Sequence, residues 1–474
     1  MNIRLYNARI LTMEKDRPVF FGEVWIKNEK IAYVAENGEL ERELVPDFPR
    51  ISWDMEIDCK ENLLMPGFKN AHTHSAMTFL RSYADDVPLQ KWLNEKVFPL
   101  EAKLTGEDIY HFTRLAVLEY LTSGITSIFE MYLTPDTIAQ ACLDMGMRCV
   151  LTSGLNNFTS SIEQTEEEYL KWNKKNSLIS YQLGFHAEYT CSKDLLYRLA
   201  QLSHKYRAPV YTHLAETKHE VEECHEKYGM SPAVFLDSMG LFEFGGGGYH
   251  CVYMSAADMD VFRRRRLYVI TNPASNMKLA SGVAPVAEFE RKRIPVAIGT
   301  DGAASNNSLD MFREMFLVTG LSKLKENDAA SIDAAHVLNM ATVQGAKAMR
   351  LSKADVLAKG KYADLILIDL HQPNMQPIHN IPKNIVYSGS KSNVIMTMIN
   401  GKILYRNGEF SVGESPERIY AECDRIVRRL TDYRIAQKTT PDNIYRYLKT
   451  FKGKEKNNVR ENLQTERKQH KCEN

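Results

Sequence analysis

Two histidines one residue apart, His72 and His74, close the run Leu63-Leu64-Met65-Pro66-Gly67-Phe68-Lys69-Asn70-Ala71-His72-Thr73-His74. Leu63-Leu64-Met65 is apolar enough to end a buried strand, and Pro66-Gly67 breaks any helix. In a strand, residues i and i+2 project to the same side, so both imidazoles can reach one metal ion. His-x-His alone is a weak signal, because solvated histidines meet that spacing by chance. Three further apolar, β-branched runs carry a ligand-type residue at or near their ends: Pro209-Val210-Tyr211-Thr212-His213, Tyr249-His250-Cys251-Val252 and Pro295-Val296-Ala297-Ile298-Gly299-Thr300-Asp301. His72, His74, His213 and Asp301 make an N3O donor set suited to one divalent ion, zinc first and iron(II) second. Such an ion would lower the pKa of a water toward neutrality and make it a nucleophile.

These segments, with His213-Leu214-Ala215-Glu216-Thr217, Asn272-Pro273-Ala274-Ser275-Asn276 and Gly299-Thr300-Asp301-Gly302-Ala303-Ala304-Ser305-Asn306-Asn307, resemble the amidohydrolase superfamily. Within it the likeness is to the deaminase and chlorohydrolase branch that includes 5′-methylthioadenosine/S-adenosylhomocysteine deaminases. It runs from the N-terminus to about residue 410. The resemblance implies that Glu216 passes a proton to a ring nitrogen of the substrate, a role a carboxyl beside the metal suits; a surface salt-bridge glutamate is the plainer alternative. It implies that His250 orients or deprotonates the attacking water, against the plainer role of a satisfied core histidine. Asp301 would be first a ligand and then a proton carrier to the leaving group. Glu101 matches a position that binds ribose hydroxyls, and His186 one near the substrate, although Ala187-Glu188 replaces the more familiar Ser-Pro after it. Trp92 offers a flat wall for a heteroaromatic ring, or simple packing.

Many amidohydrolases bridge two metals with a carbamylated lysine at the end of the fourth barrel strand. Here Leu183-Gly184-Phe185-His186-Ala187-Glu188 has no lysine, which favours a single ion. Nucleoside-type relatives often carry arginines after the third strand to hold the substrate's distal polar end. This chain reads Leu151-Thr152-Ser153-Gly154-Leu155-Asn156-Asn157-Phe158-Thr159-Ser160-Ser161, with no arginine, so a homocysteine carboxylate lacks its expected partner.

The elements that must position these residues follow an alternating pattern between residues 65 and 358. Ile125-Thr126-Ser127-Ile128-Phe129, Arg148-Cys149-Val150-Leu151-Thr152, Ser180-Tyr181-Gln182-Leu183-Gly184-Phe185 and Leu267-Tyr268-Val269-Ile270 join the four ligand-bearing runs to give eight strand candidates. Helical periodicity lies between them, for example over residues 105–121 and 193–206. The pattern predicts an α/β fold, a (β/α)8 TIM-like barrel, whose site lies at the C-terminal strand ends. Residues 1–64 and 359–413 read as short strands, among them Ile3-Arg4-Leu5-Tyr6, Ala8-Arg9-Ile10-Leu11-Thr12, Val24-Trp25-Ile26 and Lys30-Ile31-Ala32-Tyr33-Val34, with turns at Asn28-Glu29 and Asn37-Gly38. Asn400-Gly401 marks a hairpin. Both ends together predict one small β-sandwich. C-terminal helices are expected over 414–450, starting at Ser415-Pro416-Glu417, and a disordered tail over 451–474. Gly245-Gly246-Gly247-Gly248 lacks the Lys-Ser/Thr of a phosphate loop and reads as a flexible connection.

Composition bounds the rest. Lys+Arg and Asp+Glu are both 60 in 474 residues, so no global field favours nucleic acid or an anionic membrane. No apolar run reaches membrane-spanning length and no leader is evident, which predicts a soluble cytoplasmic protein. Eight cysteines form no Cys-x-x-Cys pair, and most lie in apolar or mixed segments, where buried thiols are expected. The expected partners are a small heterocyclic substrate and, by common symmetry, further copies of the chain. The expected activity is metal-dependent hydrolytic deamination of an amino-substituted N-heterocycle, with 5′-methylthioadenosine, adenosine or a 5′-substituted relative as substrate. A free base, a pterin, another amino-heterocycle or a chlorinated triazine fits the same donor set. A non-catalytic protein on this scaffold would ordinarily have lost ligands that this chain keeps.

Overall fold

A computed structural model describes residues 1–37, 52–87 and 89–431. The expected tail, the part of the expected helical region beyond 431, and Gly38 of the Asn37-Gly38 turn lie outside the described residues.

Eight parallel strands form the barrel sheet: Phe68–Thr73, Ile125–Glu130, Arg148–Thr152, Ile179–Gly184, Val210–Leu214, Gly246–His250, Tyr268–Thr271 and Val296–Ile298. The first and last are stitched together. Asp301 N–H donates to the His72 carbonyl at 3.0 Å, and Thr300 N–H to Asn70 Oδ1 at 2.8 Å. Side chains fill the interior: Ala71, Phe129, Val150, Tyr211, Tyr249, Ile270 and Ala297 share one buried cluster. The expected helices occur at Gly106–Thr122, capped by a Thr105/Asp108 box, and at Lys193–Tyr206, capped by Ser192.

The glycine run is not a flexible connection. Gly246, Gly247 and Gly248 open the sixth barrel strand and pair with Val210, Tyr211 and Thr212. A Cβ on Gly246 would lie 1.9 Å from the Val210 carbonyl oxygen, and one on Gly247 2.3 Å from that of Tyr268. The strand is glycine-rich because its neighbours approach too closely for side chains.

Both chain ends build one nine-stranded mixed sheet. Leu63–Pro66 pairs with Leu365–Ile368, residues from opposite ends of the chain, and Ile3, Leu5, Val24, Leu365, Met396 and Met398 share its core. Asn400 and Gly401 both take left-handed φ, 53° and 73°, as a tight hairpin turn requires, between Val394–Ile399 and Lys402–Arg406. The segments expected as two strands, Ile3–Tyr6 and Ala8–Thr12, form a single strand Asn2–Ile10. Asn7, with φ 55°, makes an irregularity between Leu5 and Ala8 that bends the strand without ending it.

A buried ion pair joins sheet and barrel. Arg148, at the start of the third barrel strand, donates from Nε to Asp364 Oδ2 at 2.5 Å and from Nη2 to Oδ1 at 3.0 Å, both side chains being essentially inaccessible. Asp364 also accepts from Asn400 N–H, and its carbonyl from Gly67 N–H. The seven described cysteines are buried, Cys224 of the polar stretch included. The C-terminal helix begins where expected, at Pro416–Leu430. Among the described residues no helix is long and apolar enough to cross a membrane.

Candidate active site

The ligand-type residues converge at the C-terminal strand ends. His72 is fully buried in the first strand, and neither of its ring nitrogens has a hydrogen-bond partner among the described residues. Burial and the neighbouring His74, His213, His250 and His186 hold its pKa well below the usual histidine value, so the ring is neutral. His74 follows the strand and donates from Nδ1 to the Met131 carbonyl, and His213 donates from Nδ1 to the His186 carbonyl at 2.7 Å. Each bond fixes the tautomer whose Nε2 lone pair is free for the cluster. His213 is likewise held neutral, first by burial and then by the other histidines.

Asp301 sits just beyond the eighth strand, with left-handed φ 60°. Its Oδ1 is 3.2 Å from His74 Nε2 and 3.7 Å from His72 Nε2. Ser275 and Ser305 hydroxyls donate to Oδ2 at 2.6 and 2.8 Å, and Gly302 N–H to Oδ1. Burial pushes the Asp301 carboxyl up, but His74, His250 and the two hydroxyls bring it below its usual value. The ligand atoms of His72, His74 and Asp301 lie within 4.8 Å of one another, and so do those of His72, His213 and His250. Buried imidazoles with unpartnered nitrogens beside an ionised carboxylate fit a divalent ion: the donors are neutral or anionic and already oriented.

His250 reaches the cluster by an unusual backbone. Tyr249 stacks on His72 at 3.8 Å, and strand alternation would send the next side chain outward. Left-handed φ at His250 (68°) and Cys251 (51°) breaks the alternation, so the His250 ring comes within 5.8 Å of His72 and 5.5 Å of His213. Its Nδ1–H donates to Asn276 Oδ1 at 2.7 Å, leaving Nε2 toward Glu216 Oε2 at 3.8 Å. Glu216 Oε1 accepts from the Ser281 hydroxyl at 3.1 Å. An acceptor-donor pair of this kind, beside the donor cluster, can carry protons to and from a bound ring.

The remaining candidates are placed unequally. His186 lies 5.0 Å from the His213 ring, donates or accepts at Thr190 Oγ1, and burial lowers its pKa to about 4. Glu101 accepts from the Tyr132 hydroxyl at 2.5 Å, and that ring is 6.2 Å from His74. Burial pushes its carboxyl up, against the pull of Tyr132 and His74. Trp92 is buried on the short helix Leu89–Trp92, and among the described residues no aromatic contact joins it to the cluster. Sequence reasoning gave no role to Ser275, Asn276, Ser281, Ser305, Tyr132 or Glu130. Ser275, Asn276 and Ser305 stood inside the motifs that carry the resemblance, which was the signal available for them. Glu130 ends the second strand fully buried, accepting from Ser75 N–H at 3.0 Å.

An eight-stranded parallel barrel with histidines and an aspartate gathered at its C-terminal rim defines the class of barrel hydrolases built around a metal centre. The amidohydrolase family profile matches residues 63–404, and the chain belongs to that family. As a member it is a hydrolase acting on carbon–nitrogen bonds. It is 36% identical over 438 residues to a 5-methylthioadenosine/S-adenosylhomocysteine deaminase of Caldanaerobacter subterraneus, covering 91% of this chain and 99% of that one. A Syntrophomonas wolfei protein of the same name is 41% identical over 389 residues, 81% of this chain and 90% of that one. The structure of an adenosine deaminase from Xanthomonas campestris with bound zinc superposes with a TM-score of 0.84 at 30% identity, over 90% of this chain and 98% of that one.

Proposed function

We propose that the protein is a mononuclear metal-dependent deaminase of 5′-methylthioadenosine, adenosine or a related 5′-substituted adenosine, releasing ammonia. The observation that carries this reading is the convergence of His72, His74, His213 and Asp301 with a flanking Glu216–His250 pair. The names of the relatives, an adenosine deaminase and 5-methylthioadenosine/S-adenosylhomocysteine deaminases, support deamination of an adenosine derivative. His72, His74, His213 and Asp301 would hold one ion, zinc in the first instance. When bound, the ion supplies Lewis acidity that makes a water nucleophilic at neutral pH. Glu216 delivers a proton to the ring nitrogen next to the amino-bearing carbon, and addition of the attacking water's hydroxyl to that carbon turns it tetrahedral. His250, held by Asn276 with Nε2 facing inward, orients the attacking water and takes its proton. Asp301, ionised at the outset, takes the proton of the added hydroxyl as the carbonyl forms and passes it to the departing amine, and His250 returns its proton to Glu216. Glu101, fixed by Tyr132, binds ribose hydroxyls, and His186 lies along the substrate.

The distal end of the substrate meets the loop after the third strand. Its polar groups are largely tied within the protein: Asn156 Oδ1 accepts from Phe158 and Thr159 N–H, and Asn157 N–H donates to the Thr190 carbonyl. Phe158 is 85% exposed there. A loop of amides, hydroxyls and an exposed ring suits a neutral 5′ group better than a carboxylate, which would forgo a charge-assisted bond of about 1.5–3 kcal/mol. Methylthioadenosine or adenosine is therefore expected to show a higher kcat/KM than S-adenosylhomocysteine, and Glu101→Ala to narrow the preference for nucleoside over free adenine. Steady-state ammonia release from these four compounds decides it. Faster turnover of the free base, unmoved by Glu101→Ala, would transfer the assignment to another amino-heterocycle.

A further inference from the structure

Glu220 lies on the first turn of the helix Lys218–Tyr228, behind the segment that carries Glu216, and its side chain is buried. Thr217 and Glu220 form a capping box, in which the acid at the third helical position accepts from the cap residue's N–H. That bond is the longest the carboxylate makes, 3.4 Å from Thr217 N–H to Oε2. The shorter ones go further back: Ala215 N–H donates to Oε1 at 2.5 Å and Glu216 N–H to Oε2 at 2.8 Å. Helix capping requires neither.

Ala215 has left-handed φ 50°, a conformation that costs a residue with a Cβ and persists only where the surroundings enforce it. Its carbonyl accepts from Val252 and Tyr253 N–H at 3.0 and 2.9 Å, the segment just after His250. One buried carboxylate thus grips the turn between His213 and Glu216, and that turn in turn holds the chain leaving His250.

We propose that Glu220 is a positioning residue for Glu216: its two oxygens set the backbone from which the Glu216 carboxyl reaches Ser281 and His250. The inference rests on the proton-transfer role given to Glu216 above. A neutral glutamine keeps the size but offers one acceptor oxygen in place of two, so one of the two backbone N–H groups loses its bond and the turn relaxes. Displacement of a reacting group by an ångström costs on the order of 10²-fold in rate.

The test is a double-mutant cycle on the metal-loaded enzyme, measuring kcat, KM, metal content and melting temperature for Glu216→Gln, Glu220→Gln and the pair. Glu220→Gln alone should lower kcat by roughly 10–100-fold with metal content and KM nearly unchanged. In the Glu216→Gln background the same change should cost less than about threefold, because the group it positions is already inactive. Thr217→Val, which removes the helix cap and leaves the carboxylate in place, should lower the melting temperature and spare kcat. If Glu220→Gln does not accumulate as folded protein, Glu220→Asp, one methylene too short to span both N–H groups, carries the same cycle. Equal losses in both backgrounds, loss of metal, or an unaltered kcat overturns the inference while the role of Glu216 stands. An unaffected Glu216→Gln overturns that role, and this inference with it.

Discussion

His213 binds the His186 carbonyl through one nitrogen and leaves the other for the cluster, so its removal deletes a donor and one hydrogen bond to a carbonyl that still accepts from the residue's own N–H. Elemental analysis should find about one transition-metal ion per wild-type chain and little in His213→Ala; two ions, or no change in the variant, would contradict a mononuclear centre. Glu216 meets the cluster at His250 Nε2, 3.8 Å away, and is held from the other side by the Ser281 hydroxyl. Glu216→Gln should therefore keep the metal while turnover falls roughly 10²–10⁴-fold. Loss of the metal along with activity would make Glu216 a ligand rather than a proton carrier. The ligand-type residues were legible in the sequence because a strand brings i and i+2 together and barrel strands deliver their ends to one rim. The residues that orient them were not. Asn276 and Ser275 lie on the helix Pro273–Lys278, Ser305 on the short helix Ala303–Asn306 and Ser281 in a loop, and no periodicity says that an amide there will face His250 or a hydroxyl Asp301.

At the scale of elements, the sixth strand is the instructive case. Four consecutive glycines carry no strand propensity, and only the barrel reveals that Val210 leaves no space beside Gly246 and Tyr268 none beside Gly247. Gly247→Ala puts a Cβ against a backbone oxygen that cannot swing away. The expected outcome is a lower melting temperature or insoluble protein, whereas Gly229→Ala, with nothing within 4 Å, should lose only what its φ of 69° costs. The second strand makes a separate, pH-dependent contribution. Burial raises the Glu130 carboxyl from 4.5 to about 8, against the hydrogen bonds from Ser75. Between those values the folded chain holds a proton that the unfolded chain has lost. The stabilisation is complete below pH 4.5 and disappears as pH rises through about 8. Melting curves from pH 5 to 9 should show a steeper decline for wild type than for Glu130→Gln; parallel profiles would mean the carboxyl is ionised in the fold. The helices at Gly106–Thr122 and Lys193–Tyr206 were readable from periodicity, since their amphipathic faces pack on the barrel.

For the whole molecule, the Arg148–Asp364 pair binds the start of the third barrel strand to a residue from the far end of the chain. Breaking it by Asp364→Asn leaves a buried guanidinium without its counter-charge, a loss of about 3–5 kcal/mol. Arg148→Met in that background should recover part of it, as denaturant midpoints can establish; no recovery would locate the cost in the Asn400 and Gly67 bonds instead. That both ends share one module was legible from their strand-rich composition, but the pairing order was not, because short apolar strands do not name their partners. That order has a consequence for biosynthesis. Leu63–Pro66 passes through Gly67 directly into the strand that bears His72, and its partner on one side is Leu365–Ile368. While the protein is being made, the strand leading to the first ligands has an open edge until some three hundred more residues have left the ribosome. The nascent chain must therefore shield that edge through most of its synthesis, and a ribosome stalled before residue 365 presents an exposed apolar strand, a natural target for holdase chaperones.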